Sequence, residues 1–410
     1  MKNYMIPFGA WYEPGECTLS FPDNWDITTL TMKDAPEITG TKVIEDAIDN
    51  PIGTPTLSEL AKGKRNVAIA VDDISRSTRL ESILKVVLKR LNDAGIPDDK
   101  VTIIAALGSH RPMVRQDFVK KLGKEILDRC NVVNHSPFLN LVKVGVSKLG
   151  TPVIVNKTYH DADLKIAVGG VVPHPLAGFG GGAKIVLPGI CGIETLEANH
   201  SSALKTGTGA GIGRVTDLRL DIEDVCSQAG LDFSINVIFN SAGKNAGIFA
   251  GHYVQAHRKA MDLARIVYKT EIPQKVKFDV GFFNAFPEDT ELSQFLKALN
   301  LYMLCTPIID RKGVVVIMTA ASEGRGYHVL QAETGSALQM RMDESNLLWQ
   351  MIGRRRLALF SPNVTRADVD HFFSKNVLFK KDFRDLLHEI EGIVGPNPKA
   401  CLFQNTLQLP

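Results

Sequence analysis

Short β-branched runs alternate with helical stripes along this chain. Val67-Ala68-Ile69-Ala70-Val71 reads as a buried strand. Leu80, Ile83, Leu84, Val87 and Leu91 then recur at the spacing of one helix face. Val101 to Leu107 predicts a second strand and Phe118 to Cys130 a second helix. Leu164 to Val172 and Phe233 to Phe239 predict further strands, and a helix is expected from Tyr253 to Tyr268. After Pro273 the rhythm restarts, with a strand over Phe278 to Phe283 and a helix over Leu292 to Leu304. Val314 to Met318 and Leu357 to Phe360 predict two more strands. The alternation predicts an α/β protein: two α/β domains with mostly parallel sheets. A boundary between Glu271 and Lys275 separates an N-terminal domain, residues 1–272, from a C-terminal one, residues 273–410. The last residues can return to the first domain. A short hinge would place an active-site cleft between the two.

Composition narrows the function classes. The 410 residues are 44% hydrophobic and 22% charged, as in ordinary globular enzymes. The net charge of +2 is spread along the chain. No basic run carries interleaved aromatics, which argues against nucleic acid as a partner. Arg354-Arg355-Arg356 is the densest basic stretch and reads as a solvated helix end. The six cysteines form no C-x-x-C pair, so zinc-ribbon and thioredoxin readings fail. Scattered cysteines suggest a reducing compartment. The apolar runs fall short of a membrane span, and the first residues lack a signal-peptide pattern. A cytoplasmic enzyme without membrane partners is expected.

Four stretches carry candidate chemistry. Asp72-Asp73-Ile74-Ser75-Arg76 follows a buried strand, and open α/β sheets bind ligands at the carboxyl ends of their strands. Ser75 can donate to a phosphate oxygen, and Arg76 can clamp a carboxylate in two places. Asp73 or Ser75 could equally cap the next helix. Gly108-Ser109-His110-Arg111-Pro112-Met113 also follows a strand, where His110 can serve as a general base or merely bond to backbone. The third stretch runs from Pro173-His174-Pro175 through Gly180-Gly181-Gly182-Ala183-Lys184 to Leu187-Pro188-Gly189-Ile190. A glycine turn before a helix can present amide donors to an anion. Lys184 lacks the phosphate-loop spacing, and Ile185 stands where that motif needs a hydroxyl. The lysine could be a nucleophile or an attachment point, or a surface lysine on a packing turn. The fourth stretch, Glu197-Ala198-Asn199-His200, offers one metal-capable side chain without a partner at zinc-site spacing.

Together these stretches resemble the lactate racemase family. Asp73-x-Ser75-Arg76, Gly108-x-His110-Arg111-Pro112-Met113, the His174-to-Lys184 stretch with Leu187-Pro188-Gly189, and His200 sixteen residues after Lys184 follow its pattern in order. Phe286-Pro287-Glu288-Asp289 with Gln294 and Lys297 is similar to a further family motif. Ile6-Pro7-Phe8-Gly9 and Glu323-Gly324-Arg325-Gly326 also fit. The resemblance implies racemisation or epimerisation at C2 of a 2-hydroxy acid, by hydride transfer to a nickel-pincer nucleotide. That cofactor is a pyridinium mononucleotide with two sulfur-bearing arms and a nickel ion.

By the same resemblance, Lys184 is the covalent attachment point and His200 the protein ligand to nickel. Asp73, Ser75, Gly181 and Gly182 would contact the cofactor. His110 and His174 would be the acid/base pair, one for each hand of substrate. Arg76, Gln294 and Lys297 would bind substrate. Cofactor-synthesis enzymes would be needed for maturation. Three positions depart from the pattern. Ser77 replaces a proline, Asp72-Asp73 leaves the register open so that Arg79 competes with Arg76, and Phe286 replaces a tyrosine. Read without the resemblance, the same residues also allow a cofactor-free acid/base epimerase or dehydratase. They allow a non-catalytic nucleotide- or phosphate-binding protein as well.

Overall fold

The computed structural model describes residues 1–205, 212–305, 308–327, 347–373 and 376–410. The chain forms two compact units. One comprises residues 35–240 and 244–267, the other residues 1–34, 241–243 and 268–410. Each holds a six-stranded, mostly parallel sheet among the described residues.

In the first unit the strand order is Asn245–Gly251, Phe233–Phe239, Leu164–Gly170, Val67–Asp72, Val101–Ala106, Asn131–Asn134. All neighbours run parallel except the first pair. Val67–Asp72 lies at the centre and every residue in it is buried. That is why an unbroken apolar run, rather than an alternating one, encodes it. The Glu81–Asp93 helix buries Ile83, Leu84, Val87 and Leu91, the stripe read from the sequence. The expected single helix over Phe118 to Cys130 is instead two, Arg115–Leu122 and Lys124–Arg129. Gly123 separates them at φ +84°, a left-handed conformation that glycine adopts without a Cβ clash and that ends a helix.

The second unit orders its strands Leu378–Lys380, Arg356–Phe360, Ile309–Met318, Phe278–Asn284, Lys399–Phe403, Asp26–Leu30, all parallel. The expected division at residue 272 therefore needs correction. Residues 1–34 belong to the unit built from the C-terminal half. Asp26–Leu30 adds the edge strand beside Lys399–Phe403, and Phe21 and Trp25 bury themselves with Phe282 and Leu402. The crossing thus involves the first residues of the chain. Residues 399–403 stay in the sheet of the second unit. No helix among the described residues is long and apolar enough to cross a membrane.

Candidate active site

Three adjacent parallel strands of the first unit end at the predicted loops. Asp72 closes the central strand and ties its neighbours together. Its Oδ2 accepts the Gly170 N–H (3.0 Å) and the Thr78 hydroxyl. Its Oδ1 pairs at 2.8 Å with Lys121, whose ammonium also donates to the Arg76 carbonyl at 2.7 Å. Lys121 is 1% exposed, and burial lowers its pKa against the opposing charge of Asp72. A lysine late in an amphipathic helix reads as a solvated residue, so this anchor was not visible in the sequence.

Asp73 does not cap the helix that follows, which begins at Glu81. Its Oδ1 accepts the Ser75 N–H at 2.7 Å, and its Oδ2 lies 2.7 Å from His110 Nδ1. Burial alone would raise the Asp73 carboxyl. The charge and hydrogen bond of His110, with Arg76 and Ser75, hold it well below the usual carboxylate range. An ionised carboxylate only accepts hydrogen bonds, so His110 carries a hydrogen on Nδ1, and in the neutral ring Nε2 is the lone pair. Ser75 Oγ stands 3.1 Å from Nδ1, and an Arg76 guanidinium nitrogen 3.4 Å from Nε2. Arg76 is thus the arginine at His110. Arg79 has its backbone bracketed by Asn245, and its guanidinium senses the charge of Glu37.

The glycine loop is clamped from behind. Arg219, 0% exposed, donates to the carbonyls of Ala177 (3.2 Å), Gly181 (3.2 Å) and Phe179. Thr216 Oγ1 donates to the Leu176 carbonyl at 2.7 Å, and His257 Nε2 to the Gly180 carbonyl at 2.7 Å. Gly178 lies at φ +77°, and a Cβ there would fall 1.7 Å from the Arg214 carbonyl oxygen. The Gly182 N–H is taken by Asn236 Oδ1 at 2.8 Å. Its left-handed φ of +57° lets the backbone pass the His257 ring, which a Cβ would meet at 2.9 Å. Gly181 lies at φ +71° and gives its carbonyl to Arg219 and to the Lys184 N–H (3.1 Å). Lys184 sits on the Gly182–Ile185 3-10 turn.

His200 lies on the Ile193–Lys205 helix. Its neighbour Asn199 donates to Asp221 at 2.7 Å, and Asp221 also accepts the hydroxyls of Ser147 and Thr151. His200 Nδ1 stands 3.0 Å from the Leu196 carbonyl, which leaves Nε2 as the ring nitrogen for a ligand. Burial, and then the nearby Lys184 ammonium, push its pKa down to about 4. The neutral imidazole that results is the form that binds metals. His174 belongs to the Pro173–His174 strand, paired antiparallel with Gly178–Phe179. Its Nδ1 accepts the N–H groups of Leu176 (3.2 Å) and Ala177 (3.1 Å).

Gln294 and Lys297 lie in the other unit. Gln294 ends the Leu292–Gln294 3-10 turn and is 5% exposed. Lys297 pairs with the buried Glu288 at 2.7 Å, a partner that sequence reading missed. Asp289, beside it, accepts the N–H groups of Gly9 and Ala320 on Oδ2, both at 3.3 Å. Its buried Oδ1 has no hydrogen-bond partner, and burial raises the carboxyl to about 7.

No group of three or more His, Cys, Asp or Glu side chains among the described residues could hold a metal ion unaided. The donors present suit a metal that brings its other ligands with it. His200 is neutral and keeps Nε2, and Lys184 lies within electrostatic reach of it.

The lactate racemase N-terminal domain matches residues 12–211. A lactate racemase from Lactiplantibacillus plantarum is 32% identical over 300 residues, 70% of this chain and 69% of its own. One from Thermoanaerobacterium thermosaccharolyticum is 28% identical over 333 residues, 80% of this chain and 76% of its own. The solved structure of the lactate racemase apoprotein from Thermoanaerobacterium thermosaccharolyticum superposes with a TM-score of 0.77 at 23% identity. It covers 100% of this chain and 99% of that one, which establishes a shared fold.

Proposed function

The chain belongs to the lactate racemase family and is an isomerase, and from that premise we propose that it inverts C2 of a 2-hydroxy acid by hydride transfer to a lysine-tethered nickel-pincer nucleotide. The observation that carries the reading is that His200, on a separate helix, bonds through Nδ1 to the Leu196 carbonyl and keeps Nε2 for a ligand, within electrostatic reach of Lys184 on the turn after the glycines. Lys184 would hold the group covalently, and His200 would reach its nickel through Nε2. Asp73, Ser75, Gly181 and Gly182 would line the nucleotide, the glycines by allowing close backbone approach. When bound, the group supplies an acceptor for the C2 hydrogen as hydride, which spares an already anionic carboxylate a second charge.

The chain's own residues orient the substrate and manage its proton. His110 Nε2 takes the hydroxyl proton, and Asp73 stabilises the imidazolium that forms. Arg76 clamps the carboxylate in two places. Gln294 and Lys297 are two further substrate-binding residues, and His174 is the second histidine at the substrate oxygen. The six free cysteines fit a cytoplasmic enzyme, matured by cofactor-synthesis enzymes.

Racemisation in deuterium oxide tests the reaction class. Hydride transfer keeps the original C2 hydrogen through inversion. Rapid entry of solvent deuterium at C2 would replace it with proton abstraction, and with it the need for a cofactor.

A further inference from the structure

We infer that Asp221 is a positioning residue for His200: through Asn199, its carboxylate fixes the helix on which the proposed nickel ligand stands. The inference rests on the racemase reading above, in which His200 reaches the metal.

The His200 ring is tied first to its own helix. Its Nδ1 bonds at 3.0 Å to the Leu196 carbonyl, one turn back, so Nε2 travels with the Ile193–Lys205 helix. Two fully buried polar side chains pin that helix, four residues apart on one face. Thr195 Oγ1 accepts the Ile154 N–H at 3.0 Å, and Asn199 donates to Asp221 Oδ2 at 2.7 Å. The buried Asp221 takes two more neutral donors, the Thr151 hydroxyl at 2.8 Å on Oδ2 and the Ser147 hydroxyl on Oδ1. Ser147 and Thr151 flank the turn between the antiparallel strands Leu141–Val146 and Pro152–Asn156. One carboxylate thus joins three elements: its own Asp217–Ala229 helix, the His200 helix and this hairpin.

Apolar packing would also hold the two helices together, but it is non-directional and lets them slide. A buried carboxylate costs free energy to desolvate, and an apolar pair in its place would avoid that cost. What the carboxylate adds is direction, because its hydrogen bonds fix the His200 helix along its axis. A metal ligand needs this, since its donor atom must be held to within about 0.5 Å. The same helix also supports the glycine loop that leads to Lys184. Arg219 and the N-cap Thr216 bond the carbonyls of Leu176, Ala177, Phe179 and Gly181. The Asp217–Ala229 helix is therefore a common support, of the Lys184 turn through Arg219 and of His200 through Asp221.

The two supports separate by experiment. Full-length protein is purified from cells that carry the cofactor-synthesis enzymes. Intact mass gives the Lys184 adduct per chain, metal analysis gives nickel per adduct, and a chelator challenge gives the rate of nickel loss. Asn199→Leu leaves Asp221 its two hydroxyl donors, so the chain keeps its fold. It should carry the adduct in wild-type amount but lose nickel at least about tenfold faster. Asn199→Asp sets two carboxylates face to face and should behave likewise. Combining Asn199→Asp with Asp221→Asn rebuilds the bond with donor and acceptor reversed, and should restore nickel retention. Nickel held as firmly in Asn199→Leu as in the wild type overturns the inference. So does a double variant that still loses nickel fast, or adduct and nickel that fall together in every variant, the mark of a purely structural role. Hydrogen exchange on the chain made without those enzymes needs no cofactor. Asn199→Leu should speed exchange across residues 193–201 and leave residues 176–184 as they are. Unchanged exchange across residues 193–201 also overturns the inference. A wild type with neither adduct nor nickel counts against the reading above, whereas the exchange pattern bears on this inference alone.

Discussion

Asp289 is a carboxyl group sealed among backbone amides, with one oxygen that no donor reaches. Its ordinary pKa is 3.8, and burial lifts it to about 7 in the folded protein. Between those values the unfolded chain has released a proton that the native protein keeps, so native stability falls as pH rises through the window. The slope is about 1.4 kcal/mol per pH unit. Asp289→Asn should remove this component, so the stability of the wild type relative to the variant should decline from pH 5 to pH 7 in chemical denaturation. Parallel pH profiles would show that Asp289 is ionised throughout. The candidate site residues could be picked out because their motifs are local in sequence. Their protonation was not. Whether a histidine presents hydrogen or a lone pair depends on Asp73 in one case and on the Leu176 and Ala177 amides in the other. Neither contact follows from residue type.

The loop from Leu176 to Lys184 is held in shape by side chains from outside it. Four of its carbonyls, together with that of Leu176, go to Arg219, His257 and Thr216, all outside the loop. The sequence announced a glycine turn but gave no sign of the clamp. Arg219, in Asp217–Ala229, reads as one more polar helix residue. The helix broken at Gly123 was missed for a related reason, since apolar periodicity continues across a residue whose backbone turns left-handed. Arg219→Met would take the guanidinium from three buried carbonyls; Ala177 and Gly181 keep the Phe179 and Lys184 N–H groups, so the cost falls chiefly on Phe179, at about 1–3 kcal/mol before relaxation. It should lower thermal stability and reduce the fraction of chains modified at Lys184. Unchanged hydrogen exchange across residues 176–184 in that variant would mean that the loop holds its shape without the guanidinium.

Four strands of the first sheet and three of the second were legible from periodicity, because buried central strands such as Val67–Asp72 and Phe278–Asn284 carry unmistakable apolar runs. The assignment of residues 1–34 was not legible. Asp26–Leu30 is a short, half-exposed edge strand, and its partner Lys399–Phe403 lies at the far end of the chain. No local pattern encodes that pairing. What joins the pieces of the first unit into an enzyme is the proposed attachment at Lys184, within electrostatic reach of the neutral His200. The most direct test is tryptic mass spectrometry of the protein purified from cells that carry the cofactor-synthesis enzymes, with racemisation assayed on the same sample. The account predicts active protein whose Lys184 peptide carries the mass of the tethered nucleotide. Fully active protein with an unmodified Lys184 peptide would contradict it.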